Sequence, residues 1–159
     1  MAKNYRSITP IQQFDPTACW AASLEWWAGA VGGGRGVVTQ MNLLNLYLSY
    51  WDSSNPDTNP NYGTVSRGNL IAIIQDPRWR MDCFTVQPND FDCYYINRKM
   101  KYGPCLLGYM RPGIGKHVVV AYGASDTHIA VMDPDGAKFI GHSLAHYKTT
   151  ELIIGSPRQ

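Results

Sequence analysis

An α+β fold, with a helical N-terminal half packed on a C-terminal antiparallel sheet, is what this sequence predicts. Two observations carry that expectation. Up to about residue 102 the apolar residues recur at helical spacing in proline-free runs. After Gly103-Pro104 the period changes to short β-branched and aromatic runs, cut by Gly, Pro, Asp and Ser. Runs of helices followed by runs of strands mark α+β rather than alternating α/β. A third observation bounds the answer. The chain has 159 residues, 45% hydrophobic and 16% charged, which suits one domain over 1–159 with a sizeable core and a lightly charged surface.

Residues 1–18 read as extended or irregular, broken by Pro10 and Pro16. The first helix is expected from Ala18 to Ala30, rich in Ala, Leu and Trp, with Trp26 and Trp27 in the core. The glycine run from Gly32 to Gly36 ends it. This is a connector rather than a phosphate loop, because it follows a helix and lacks the Gly-Lys-Ser/Thr ending. Thr39 is placed to cap a second helix, which reads as strongly buried from Met41 to Trp51. Residues 52–64, full of Asn, Asp, Pro and Ser, predict a surface loop. Ser66 can cap a third helix through Ile74, stopped by Asp76-Pro77. A strand is expected within 79–86, and Asp90 as cap of a fourth helix ending at Gly103-Pro104. Strands follow at 105–109, 117–122, 129–132, 138–140 and 150–154.

The formal charge of +2 gives no reason to expect a nucleic-acid or membrane partner, and no apolar run approaches the roughly 20 residues of a membrane span. The first residues lack an apolar signal core. Cys19, Cys83, Cys93 and Cys105 have no zinc-knuckle spacing, and reduced thiols in a cytoplasmic setting are expected. No metal or cofactor is expected. His128, His142 and His146 fit no common zinc spacing, and Glu25 reads as a surface charge on the first helix.

Chemistry concentrates at Cys19, where an irregular segment meets a helix. A helix start offers unpaired N–H groups and the positive dipole end, both of which favour a thiolate. The same residue also suits a small buried hydrophobe. A nucleophilic cysteine needs a base, and the base needs an orienter. His117 opens the run Val118-Val119-Val120-Ala121-Tyr122-Gly123, and Asp133 ends Ile129-Ala130-Val131-Met132. An aspartate accepting from imidazole Nδ1–H would aim the ring at Cys19. A strand-end histidine and a turn aspartate are the plainer readings of each alone, and Asp135 competes for the orienting role. Gln13, with five residues between it and Cys19, can donate to an oxyanion together with the Cys19 N–H; Gln12 is its decoy. Trp20 and Tyr122 are candidate cleft residues.

Gln13, then Cys19-Trp20-Ala21-Ala22-Ser23, resembles the oxyanion and nucleophile segment of papain-like cysteine peptidases. The segments 103–108, 117–123 and 131–136 resemble the same group, and in particular its compact branch of bacteriocin-processing, double-glycine peptidase domains of ABC transporters. Similar segments occur in bacterial effector proteases. Residues 31–100 match only in helical character. The resemblance implies a papain-like fold, with Cys19 as nucleophile, His117 as base and acid, Asp133 as orienter and Gln13 as oxyanion donor. It implies a protein or peptide substrate cut through an acyl-enzyme, and suggests small residues such as Gly-Gly before the cut. Ala18 and Trp20 depart from the transporter domains, which usually carry glycine after the cysteine, and no transporter part follows. A toxin or effector is therefore expected, cytoplasmic in its producer, delivered into competing bacteria or a host without a signal peptide, and restrained by a cognate immunity protein. The same residue order also serves amidases, deamidases, transglutaminases and acyltransferases, and a peptide-binding domain without chemistry is the non-enzymatic alternative.

Overall fold

A computed structural model describes residues 3–14, 16–35, 38–52, 64–113 and 115–159. The loop expected over 52–64 lies almost wholly outside these residues. Helix α1 (Cys19–Val31) begins one residue later than its sequence suggests. Helices α2 (Gln40–Leu46) and α3 (Arg67–Ile74) follow, capped by Thr39 and Ser66, whose hydroxyls accept the Asn42 and Asn69 N–H groups. Strand β1 (Met81–Val86) precedes α4 (Cys93–Lys99). The last third is β2 (Cys105–Arg111), β3 (Gly115–Ala124), β4 (His128–Asp133), β5 (Lys138–Ser143), α5 (Leu144–Tyr147) and β6 (Leu152–Pro157).

The six strands form one antiparallel sheet in the order β1-β6-β2-β3-β4-β5. The last strand therefore inserts between β1 and β2, tying the helical half to the sheet. Side chains alternate across the sheet. Leu106, Val118, Val120, Met132 and Ile153 pack with α1, α2 and α3. Leu107, Val119, Val131, Leu152 and Ile154 face a second core with Phe91, Ile96 and Tyr147. The sheet is thus covered on both faces, and the triple valine of β3 is apolar at every position because both faces are dry.

Three expectations change. Asp92, not Asp90, caps α4: its carboxylate accepts the Tyr95 N–H at 2.7 Å, while Asp90 ends a 3-10 turn begun by Pro88. The second helix is short and only half buried. Leu43 and Leu44 enter the core, but Met41, Leu46 and Leu48 are exposed, because the chain leaves α2 at Leu46 and tightens into a 3-10 turn over Leu48–Tyr50. Helix α5 was not expected; its four residues are too few for a periodic signal.

Candidate active site

Cys19 is the first residue of α1, buried at 7% exposure. Two contacts fix this helix against the sheet. The Ser23 hydroxyl, one turn beyond Cys19, donates to the Val118 carbonyl at 2.9 Å, next to His117. The Trp27 indole donates to the Pro104 carbonyl at 2.7 Å, where β2 begins. Helix α1 is thereby pinned with its N-terminus beside the start of β3.

His117 lies in β3 opposite Tyr109 of β2, and the edge of the Tyr109 ring covers it at 6.0 Å between centroids. Pairing of Val120 with Met132, continued by one step, sets Asp133 across from Val119. His117 and Val119 share a face, so Asp133 is the diagonal neighbour of His117, within reach of a long side chain. The His117 Nε2 lies 2.7 Å from Asp133 Oδ1. An ionised carboxylate only accepts, so the Nε2–H donates. This corrects the expectation that Nδ1 meets the aspartate. Nδ1 is the ring nitrogen nearer its own backbone, whereas Asp133 stands two residues along the sheet, where the far nitrogen reaches. Nδ1 is buried without a hydrogen-bond partner, which leaves it free for the thiol.

Asp133, rather than Asp135, is the carboxylate at the ring. The Asp135 carboxylate pairs with Arg111 at 2.7 Å, and its backbone N–H donates to Asp133 Oδ1 at 2.9 Å. Burial alone would pull the His117 pKa down. The Asp133 hydrogen bond and the nearby Cys19 thiol more than offset this and raise it to about 9. Burial pushes the Asp133 carboxyl up, but the His117 bond, the Asp135 N–H and Arg111 hold it below the ordinary carboxylate range. The arrangement stabilises an imidazolium beside a sulfur, the charge state from which a thiolate attacks.

Gln13 is buried, with its side-chain Oε1 unpartnered. Its backbone N–H donates to the Pro134 carbonyl at 3.0 Å, so the segment before Cys19 is bonded to the turn after Asp133. Gln12 does not simply face solvent: its Oε1 accepts the Gly136 N–H at 3.0 Å. Glu25, read as a surface charge, instead accepts the Gln40 N–H at 2.5 Å and anchors the start of α2. That role was hidden because the two residues meet only after α1 turns back on α2.

Beside Cys19 and His117 opens a cleft lined by Trp20, Val65, Leu70, Met110 and Ile153, with Arg67, Lys116 and Glu151 also in its wall. Tyr122 does not line it. Its ring packs with Tyr5, Trp26 and Phe139, because residue 122 lies five positions along β3 from His117. His142 and His146 stack on each other at 3.9 Å, and His146 meets the Tyr109 hydroxyl at 3.2 Å. His128 bonds Thr127. All four cysteines are free thiols. Cys105 is fully buried, and burial pushes its thiol up to about 12. No helix among the described residues is long and apolar enough to cross a membrane.

No protein-family model matches the chain, and no curated protein matches it significantly. Solved structures do. The peptidase domain of Streptococcus ComA, described as a bi-functional ABC transporter of a quorum-sensing pathway, superposes with a TM-score of 0.64 at 15% identity, over 95% of this chain and 99% of that one. A putative C39-like peptidase from Bacillus anthracis gives 0.60 at 15% identity, over 96% of each chain. The Streptococcus mutans ComA peptidase domain gives 0.52 at 13% identity, over 94% of this chain and 99% of that one. An antiparallel sheet packed against a helix that begins at a cysteine, matched along nearly its whole length to these peptidase domains, gives the chain the α+β papain-like fold.

Proposed function

We propose that this protein is a papain-like cysteine peptidase that cuts a protein or peptide through an acyl-enzyme. The observation that carries the reading is the buried His117, bonded through Nε2 to Asp133 and lining, together with Cys19, one cleft. For the reaction His117 takes the Cys19 proton. The thiolate attacks the scissile carbonyl carbon and forms a C–S bond, and the carbonyl oxygen becomes an oxyanion facing the Cys19 N–H and the Gln13 amide. Collapse breaks the C–N bond, and the imidazolium gives its proton to the leaving amine. His117 then takes a proton from water, whose oxygen attacks the thioester, and the sulfur leaves as thiolate. Asp133 holds the ring in register and stabilises its charged form.

A finer reading is that small residues, Gly-Gly above all, precede the cut. It rests on the sequence resemblance to double-glycine peptidases. A panel of fluorogenic peptidyl amides varied at the two residues before the scissile bond tests it; equal cleavage after bulky side chains sinks it. The resemblance to bacterial effector proteases also supports a toxin delivered into a target cell and restrained by a cognate inhibitor in its producer. Expression in a bacterium without any partner gene should be toxic for the wild type and harmless for Cys19→Ala, with new protein N-termini only in the former. Ammonia release from an intact substrate would instead favour a deamidase or transglutaminase.

A further inference from the structure

Gln40 stands at the start of α2, only 2% exposed, far in sequence from every residue of the reaction. Its side-chain amide makes two hydrogen bonds, both to the backbone around Gln13. Nε2 donates to the Gln12 carbonyl at 2.9 Å, and Oε1 accepts the Phe14 N–H at 2.9 Å. One amide thus fills the hydrogen-bonding groups on either side of Gln13, as a neighbouring strand would. The backbone N–H of Gln40 is in turn held by the Glu25 carboxylate at 2.5 Å, and Glu25 belongs to α1, the helix that begins with Cys19. From the other side, the Gln13 N–H and the Gln12 side chain grip the turn at Pro134 and Gly136, just after Asp133.

We infer that Gln40, anchored by Glu25, is the positioning residue of the oxyanion site: it fixes the Gln13 segment relative to Cys19. The inference rests on the peptidase reading above. Its physical basis is that Gln13 lies in no helix or strand, so its backbone groups have no ladder of their own to hold them. An oxyanion donor displaced by about 1 Å can cost on the order of 100-fold in rate. Glutamine suits this place because its amide donates and accepts at once, which neither Glu nor Met does.

The test uses the full chain with three variants: Gln40→Met, which removes both bonds; Gln40→Glu, which keeps an acceptor for Phe14 but loses the donor to Gln12; and Gln13→Ala. Hydrolysis is read with the fluorogenic peptidyl amide panel, and the thiol–imidazole pair by the rate of Cys19 alkylation with iodoacetamide, which needs no oxyanion site. Gln40→Met should lower kcat about 100-fold with KM nearly unchanged, Gln40→Glu, whose carboxylate would face the Gln12 carbonyl, by at least as much, and neither should slow alkylation. The double variant Gln13→Ala/Gln40→Met should be no slower than Gln13→Ala, since residues acting as a unit are not additive. Losses that multiply in the double variant, or alkylation that falls together with kcat, would assign Gln40 a merely structural role and overturn the inference. Hydrolysis that depends on Cys19 but survives Gln40→Met would do the same while leaving the peptidase reading intact. Hydrolysis indifferent to Cys19→Ala would remove both. Should Gln40→Met not fold, Gln40→Glu and Glu25→Met, which removes the acceptor of the Gln40 N–H, carry the same comparison.

Discussion

His117 is where burial and charge compete most directly. A histidine at 1% exposure should lose its proton easily, yet Asp133 and Cys19 raise its pKa to about 9. If the reactive form is thiolate with imidazolium, activity persists until His117 deprotonates, so the alkaline limb of kcat/KM should fall near pH 9. Asp133→Asn removes the carboxylate that raises the ring, and the limb should move to lower pH, as a pH–rate profile will read. Cys19→Ala should abolish hydrolysis. Iodoacetamide near neutral pH should label Cys19 well before Cys105, whose thiol is fully buried and pushed up to about 12; mass spectrometry of the labelled peptides checks the order.

Among the elements, α1 and β6 decide whether the site assembles. The Ser23–Val118 hydrogen bond links the Cys19 helix to the His117 strand inside a dry interface. Ser23→Ala removes this buried bond to the Val118 carbonyl and should cost about 1 kcal/mol in denaturant unfolding. It should also lower kcat, because sulfur and ring lose their common anchor. Strand β6 passes under α3 at Gly155, where an added methyl group would lie 2.9 Å from Met81 Sδ, 3.2 Å from Ile74 Cγ2 and 3.3 Å from Leu106 Cβ. Gly155→Ala should therefore destabilise by about 1–3 kcal/mol through overpacking, and thermal unfolding of the variant measures it.

Across the whole molecule, the His117–Asp133 pair links stability to pH from both sides. Asp133 is depressed in the fold, so its contribution is present above its ordinary value of 3.8 and is lost as pH falls through the lower folded value. His117 is raised, so its contribution is full below 6.5 and is lost as pH rises through about 9. Thermal stability should therefore decline between these two pH values on the alkaline side, and His117→Gln should flatten that decline. A wild-type melting temperature that stays level over the interval would argue against the buried charged pair.

The fold class and the residue types of the site were legible in the sequence because they depend on local order. The switch from helical to strand period at Gly103-Pro104, the caps at Thr39 and Ser66, and a cysteine at a helix start are each properties of a few adjacent residues. What the tertiary structure decided was every relation set by register and packing. Strand β4 ends at Asp133 and the Asp135 carboxylate turns to Arg111, while the β3–β4 pairing brings Nε2, not Nδ1, to the Asp133 carboxylate. The same pairing carries Tyr122 away from the cleft. Helix α2 folding onto α1 brings Gln40 to Glu25 and to the Gln13 segment, although no periodicity marks either residue. Local chemistry is written along the chain, whereas a site joining residues a hundred positions apart exists only once the sheet has fixed its register.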